Sequence, residues 1–231
     1  MLRDWNDLPD YMRNDAVRPY YESLKRKRLS LILKRGFDFA MSLFLLIFLS
    51  PVMIGLSIAI VADSKGGVFF RQERITQYGR KFRIHKFRTM VADAENIGSQ
   101  VTTKNDMRVT KIGFKLRKYR LDELPQLIDI LLGNMSFVGT RPETTRFVCR
   151  YTPEMYATLL LPAGVTSEAS IKYKDEDKLL DVADNVEDVY MNKVLPGKMK
   201  YNLEKPSKFW LFRRDINNDK DYYGSSKIKK Y

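Results

Sequence analysis

One run dominates the hydrophobic pattern of this chain. Gly36 to Ala62 holds 27 residues with a single charge, Asp38. A helix over that stretch measures about 40 Å, longer than a hydrocarbon core of roughly 30 Å. It lacks a polar face, which argues against a buried helix of a soluble domain. Its length and its start beyond residue 35 argue against a signal peptide. Ser50-Pro51 stands near its centre, and proline removes a backbone donor and clashes with the preceding turn, so a helix bends or stops there. Basic residues crowd both flanks: Lys25, Arg26, Lys27, Arg28, Lys34 and Arg35 before it, Lys65, Arg71, Arg74, Arg80, Lys81, Arg83, Lys86 and Arg88 after it. Lys and Arg beside a membrane segment favour the cytoplasmic side. Both ends qualify, so the segment is expected to enter the bilayer, turn at Ser50-Pro51 and leave on the side it entered. A kinked single span stays open beside this reading, since spanning helices tolerate proline.

Elsewhere the pattern is weaker and more broken. Residues 1–35 are polar with scattered aromatics, and Leu24, Leu29, Leu31 and Ile32 among basic residues predict an interfacial amphipathic helix. Ser64 to Gly67 reads as a turn. Val68 to Phe70 and Lys81 to Phe87 are strand candidates joined through Gln77-Tyr-Gly79 as a hairpin. A short helix is expected over Val91 to Ile97 and a loop over Gln100 to Thr110. Helices follow over Lys111 to Arg120 and Glu123 to Leu132, the second closed by Gly133. Pro142, Pro153, Pro162 and Pro196-Gly197 punctuate the remainder, with an amphipathic helix over Asn185 to Val194. The fold class expected is α+β, mostly helical, with a few short strands and one re-entrant membrane helix. Its divisions are 1–35 (basic and interfacial), 36–62 (membrane), 63–204 (cytoplasmic catalytic domain) and 205–231 (polar basic tail).

Composition narrows the function. Lys plus Arg number 41 against 28 Asp plus Glu, a formal charge of +13. Beside a membrane segment, that excess points to anionic lipid headgroups and to phosphate-bearing substrates. No zinc spacing, basic zipper or RNA-binding aromatic motif points to nucleic acid. The one cysteine, Cys149, excludes an internal disulfide and suits a reducing compartment. The one histidine, His85, rules out His-rich metal sites and makes a Ser-His or Cys-His triad improbable; its place in an alternating strand predicts that it faces solvent.

The sharpest candidate chemistry is Leu121-Asp-Glu-Leu-Pro-Gln126. Asp122 and Glu123 adjoin where a helix is expected to begin, and Pro125 belongs in a first turn. A helix start offers free N–H groups and a positive dipole end. Two carboxylates there can hold Mg²⁺, or one can attack phosphorus while the other holds the metal. Acidic residues also favour first turns for dipole reasons alone. Lys115, Arg117, Lys118 and Arg120 crowd before the pair, Arg141 follows in Ser136-Phe-Val-Gly-Thr-Arg-Pro142, and Lys86 and Arg88 lie in Lys86-Phe-Arg-Thr-Met90. Arginine forks two donors onto phosphate oxygens. Gly139 lets backbone approach an anion, or simply serves a turn.

These motifs carry a resemblance. The run Asn105 to Leu127, then Leu132 to Pro142, with Lys34-Arg-Gly-Phe-Asp38, Ser50-Pro51 and Lys86 to Met90 in the same order, resembles the bacterial sugar transferases, the monotopic phosphoglycosyl transferases, across roughly Lys34 to Glu204. The resemblance implies a re-entrant helix bent at the Ser-Pro pair. It also implies transfer of sugar-1-phosphate from a UDP-sugar to polyprenol (undecaprenyl) phosphate, with UMP released, at the cytoplasmic face of a bacterial inner membrane. It makes Asp122 the nucleophile of a phosphosugar-aspartyl intermediate and Glu123 the ligand of Mg²⁺. Arg117 and Arg141 hold phosphates, with Lys86 and Arg88 as weaker candidates for the same task, while Ser50 and Pro51 set the bend. Such enzymes begin lipid-linked glycans: capsule, exopolysaccharide or glycoprotein sugar. A homo-oligomer is compatible with the sequence.

Two stretches depart from the family's pattern. Gly139-Thr-Arg-Pro142 replaces the frequent Gly-Pro-Arg-Pro, altering loop stiffness more than charge. Pro162 to Tyr173 diverges where the sugar pocket is expected, and the tail lacks an apolar helix. The contrasting class is a non-catalytic, membrane-anchored adaptor whose basic domain docks on acidic lipid or protein.

Overall fold

The computed structural model describes residues 2–92, 94, 106–173 and 186–204. The helix expected over Val91 to Ile97 lies mostly outside the described residues, as does the loop before Asp106; the tail 205–231 lies wholly outside them.

The N-terminal segment is part of the core. Asn14 accepts from the Val17 N–H at 3.0 Å and so opens α1 (Arg18–Arg26), with Pro19 in its first turn. Tyr21 and Leu24, together with Leu2, Leu8, Met12 and Val17, cover Val148, Tyr151, Leu159, Leu160, Leu195 and Met199. Of the residues expected to form an interfacial helix, Leu24 is buried in this core and Leu31 packs against it, so the apolar face of α1 is occupied by protein. Leu29, Ile32 and Leu33, one turn later, stay exposed.

Helix α2 (Arg28–Asp63) runs through Pro51 unbroken, where the sequence predicts a turn at Ser50-Pro51. Proline 51 cannot donate to the Ile47 carbonyl, four residues back. Ser50 Oγ donates to that carbonyl at 2.8 Å, so the Ser-Pro pair satisfies the acceptor that its own proline orphans. On one face Leu45, Leu46 and Leu49 pack on Phe82, Ile84, Leu127, Ile130 and Met135. Beyond Pro51, Met53, Leu56 and Ile60 pack on Phe87 and Leu116. Phe37, Phe44, Phe48, Ile54, Ile58 and Val61 remain exposed. The helix is long and apolar enough to cross a membrane. Both its ends are bonded to the rest of the protein. Lys34 pairs with Asp38 at 2.9 Å and donates to Ser136. Arg35 caps the Ile130 and Leu131 carbonyls at 2.7 and 3.0 Å. At the far end Asp63 accepts from the Ile112 N–H at 2.9 Å.

The expected hairpin is present. Strands β1 (Phe69–Ile75) and β2 (Lys81–Phe87) pair antiparallel, Phe69 opposite Phe87. Tyr78 and Gly79 take the left-handed turn, at φ 59° and 74°. A second pair escapes sequence patterning: β3 (Met135–Val138) lies parallel to β4 (Ala163–Thr166). Gly139 and Gly164 face each other there. A Cβ on Gly139 would sit 2.8 Å from the Pro162 oxygen, and one on Gly164 would run into the Gly139 backbone. Gly139 therefore serves close packing of two chain segments, not the approach of an anion.

Helix α3 (Lys111–Lys118) is capped by Thr110, whose hydroxyl accepts from Gly113 N–H at 2.9 Å. Helix α4 (Gln126–Leu131) ends at Gly133, φ +81°. The short α5 (Thr145–Val148) and α6 (Glu168–Lys172) follow. Pro196-Gly197 does not interrupt the last helix as expected. A π turn, Tyr190–Val194, joins α7 (Val186–Val189) to α8 (Leu195–Glu204) without a break, and Pro196 falls just after that turn, inside the continuous helix.

Candidate active site

The carboxylate pair sits on a reversal, not in a regular helix. After α3, Arg120 adopts φ 58°, a left-handed conformation uncommon for a residue with a Cβ. A single 3-10 turn, Leu121–Glu123, follows, and α4 starts three residues later than expected, with Pro125 at its N-cap. The two side chains meet different surroundings. Asp122 is buried, and its Oδ1 has no hydrogen-bond partner. Glu123 is held by Lys86 Nζ at 3.1 Å and by Arg141, whose Nη2 bonds Oε1 and whose Nη1 lies 3.4 Å from Oε2. Burial pushes the Asp122 carboxyl above its ordinary value; Lys86 and Arg117 pull it back, and Glu123 opposes them. Burial pushes Glu123 in the same direction, but Lys86 and Arg141 override it and hold the carboxyl at about 2. Burial also lowers the Lys86 ammonium, partly offset by Glu123 and Asp122. Adjacent carboxylates driven apart in this way are suited to different roles.

Lys86 is aimed by its neighbour. His85 Nδ1 meets Asp129 Oδ1 at 2.9 Å, and the His85 N–H donates to Asp129 Oδ2 at 2.8 Å. Asp129 is fully buried in α4. This clamp locks β2 to the helix that follows the acid pair, and it corrects the expectation of a solvent-facing His85. An acid inside the apolar run Leu124 to Leu132 was the available signal, since a buried charge requires a partner. Arg117 Nε donates to Thr89 Oγ1 at 2.9 Å. Arg141 leaves β3 just after the Gly139–Gly164 contact.

Five of the expected residues therefore share one place: Asp122, Glu123, Lys86, Arg117 and Arg141. Arg88 is turned elsewhere. It donates to the Ser64 carbonyl at 2.7 Å and to the Lys65 carbonyl, capping the C-terminus of α2. Ser50 and Pro51 lie in α2 and take no part in the cluster. Residues that patterning missed include Arg74 and Glu143, charge-coupled to each other and, through Arg74, to Arg141 and Glu123.

Among the described residues no three His, Cys, Asp or Glu side chains gather as a metal cluster. The unpartnered buried Asp122 oxygen beside Glu123 nevertheless fits Mg²⁺, which takes one or two carboxylates and completes its shell with phosphate oxygens and water.

The sequence profile of the bacterial sugar transferase family matches residues 29–198, and the chain belongs to that family. It is 38% identical over 143 residues to the UDP-N-acetylgalactosamine-undecaprenyl-phosphate N-acetylgalactosaminephosphotransferase of Aeromonas hydrophila, covering 60% of this chain and 34% of that protein. It is 36% identical over 146 residues to the UDP-glucose:undecaprenyl-phosphate glucose-1-phosphate transferase of Klebsiella pneumoniae, covering 62% and 31%. The undecaprenyl-phosphate galactose phosphotransferase of Salmonella typhimurium is 35% identical over 155 residues, covering 61% and 32%. The chain thus spans about a third of the length of these three relatives.

Proposed function

We propose that the protein is a phosphoglycosyl transferase that moves sugar-1-phosphate from a UDP-sugar to polyprenol phosphate, undecaprenyl phosphate by analogy with the relatives' names. One observation carries the reading: a buried carboxylate with an unpartnered oxygen adjoins a carboxylate fully engaged by two cations. Asp122, poorly solvated, attacks the β-phosphorus of the donor. The bond from that phosphorus to the oxygen of UMP breaks, and UMP leaves. An oxygen of the polyprenol phosphate then attacks the same phosphorus, and the bond to Asp122 breaks, restoring the carboxylate. Lys86 and Arg117 neutralise the diphosphate through both steps, and Arg141 holds the donor's phosphates as it binds. Glu123 is the residue that would hold Mg²⁺, which when bound would supply further neutralisation of phosphate charge. Donor binding draws Arg141 from Glu123 to phosphate, leaving Glu123 for the metal.

The membrane helix enters and leaves on one side, the cytoplasmic face of a bacterial inner membrane. This rests on basic flanks at both ends and on both ends of α2 being bonded to the same body. The acceptor then meets Asp122 at the water–lipid boundary. The adaptor reading has no use for an orphaned buried carboxylate and is set aside.

The test uses the full chain in detergent or nanodiscs with a panel of UDP-sugars, undecaprenyl phosphate and Mg²⁺. UMP release is expected with at least one sugar, and intact-mass and peptide analysis should find a phosphosugar adduct on Asp122 when the acceptor is withheld. Turnover without any adduct at Asp122 would overturn the covalent route. No UMP from any donor would favour the adaptor.

A further inference from the structure

The π turn before the last helix reaches toward the site through the Tyr190 hydroxyl. Tyr190, in the π turn, donates to Glu143 Oε1 at 2.7 Å, and Glu143 is buried. Glu143 lies two residues after Arg141. Its backbone carbonyl accepts from Ile75 N–H at 2.9 Å, one residue beyond Arg74. Arg74 in turn donates to the Pro142 carbonyl at 3.4 Å and to Gln72 Oε1 at 2.6 Å. Burial lowers the Arg74 guanidinium, and Glu143, Tyr190 and Glu123 raise it while Arg141 lowers it further. The Tyr190 ring is itself braced, 4.7 Å from Phe147 and 5.4 Å from Lys198 Nζ. Pi turns interrupt a helix at a cost and occur often at functional sites. Here the turn supplies the residue that contacts Glu143.

We infer that Tyr190, Glu143 and Arg74 are positioning residues that fix the Thr140–Pro142 segment and so aim Arg141 at the donor's diphosphate. The inference rests on the phosphate-binding role proposed above for Arg141. In the protein alone Arg141 pairs with Glu123, and a diphosphate competes for the same guanidinium. A segment held at Pro142 and Glu143 leaves Arg141 few alternative placements, so little freedom is lost when it transfers to phosphate. Releasing the segment weakens donor binding and leaves the chemical step largely untouched. A strut that merely docked the last helix would change stability instead.

The test compares wild type with Tyr190→Phe, which keeps the ring against Phe147 and deletes the donor. UDP binding is measured by calorimetry, KM and kcat by UMP release, and the unfolding midpoint by thermal scan, all on the full chain in nanodiscs. Expected are rises of roughly tenfold in the UDP Kd and in KM. With them kcat stays within about twofold and the midpoint within about 2 °C. Glu143→Gln, whose amide oxygen still accepts from Tyr190 but carries no charge toward Arg74, should fall between wild type and Tyr190→Phe, and serves if Tyr190→Phe folds poorly. Unchanged Kd in both variants, or a lower midpoint with unchanged Kd, overturns the inference. If wild type binds UDP but releases no UMP, the transferase reading fails while the UDP titration still decides this one. Failure of wild type to bind UDP overturns both.

Discussion

Asp122 and Glu123 are neighbours with opposite electrostatic histories, and single substitutions separate them. Asp122 carries a burial penalty in its charged form. Asp122→Asn removes the penalty along with the nucleophile. It should cut UMP release by about 10⁴-fold or more while raising the unfolding midpoint by about 2–4 °C; a variant that kept turnover would end the nucleophile assignment. Glu123 behaves in reverse. Its carboxyl lies at about 2 in the folded protein against 4.5 as the reference value. A depressed value stabilises the fold above the unfolded pKa, and that stability is lost as pH falls from about 4.5 toward 2. Glu123→Gln should therefore destabilise the protein at pH 7 by about 2 kcal/mol, since it removes the charge that Lys86 and Arg141 share. The deficit should narrow as pH drops through that window, and acid-dependent thermal scans of the two proteins read it directly. Protonation of Asp122 above 3.8 works the other way and offsets part of the loss. The acid pair and its cations are legible in the sequence because charges crowd within short motifs. The His85–Asp129 clamp is only half legible: Asp129 in an apolar run calls for a partner, but that partner stands 44 residues away and His85 alone looks ordinary.

At the scale of elements, what the sequence discloses follows from range. The β1–β2 hairpin is visible because alternation and a turn occur within one short stretch. The β3–β4 pair is hidden: its strands have four residues each and are distant in sequence, and glycines mark their meeting point without naming the partner. That contact is testable. Gly164→Ala drives a Cβ into the Gly139 backbone, whereas Gly139→Ala meets mainly the Pro162 oxygen and the edge of Gly164. Backbone on both sides cannot rotate away as a side chain would. Gly164→Ala should cost about 3 kcal/mol or more and Gly139→Ala somewhat less. Because Arg141 follows Gly139 by two residues, Gly164→Ala should also weaken UDP binding. The Ser-Pro pair reads in the sequence as a helix interruption, yet α2 runs on through it, and the Ser50 bond to the Ile47 carbonyl emerges only in the fold. Ser50→Ala leaves the Ile47 carbonyl without the Ser50 donor and should cost about 1 kcal/mol in lipid. Differential scanning in nanodiscs, with Ser57→Ala as a comparison at a hydroxyl that bonds an ordinary helical carbonyl, checks it.

For the whole molecule, the decisive question is how a 36-residue apolar helix can be tied down at both ends. Laid out straight, α2 would extend about 54 Å, more than a hydrocarbon core. A span with one end in each aqueous phase would separate Arg35 from Asp63 by the full bilayer. Yet Arg35 caps α4 and Asp63 caps α3, both packed around the acid pair, and buried contacts continue on either side of Pro51. Breaking either end would strand a charged side chain and the backbone groups it satisfies, costing several kcal/mol. The re-entrant path proposed above keeps both ends bonded while Phe44, Ile47 and Phe48 enter lipid. Cysteines placed at exposed Arg26 and Lys65, in a Cys149→Ser background because Cys149 is itself exposed, should both react with an impermeant maleimide in inside-out vesicles and neither in sealed right-side-out ones. Pro51→Ala restores the missing donor and so opposes the bend that the proposed re-entrant path needs. It should shift part of the population to opposite-sided labelling and reduce UMP release in proportion, because a domain pulled away from its membrane helix loses the surface where a lipid phosphate and Asp122 can meet. Opposite-sided labelling of the parent would instead establish a true span and dismantle the bonds at one end of α2.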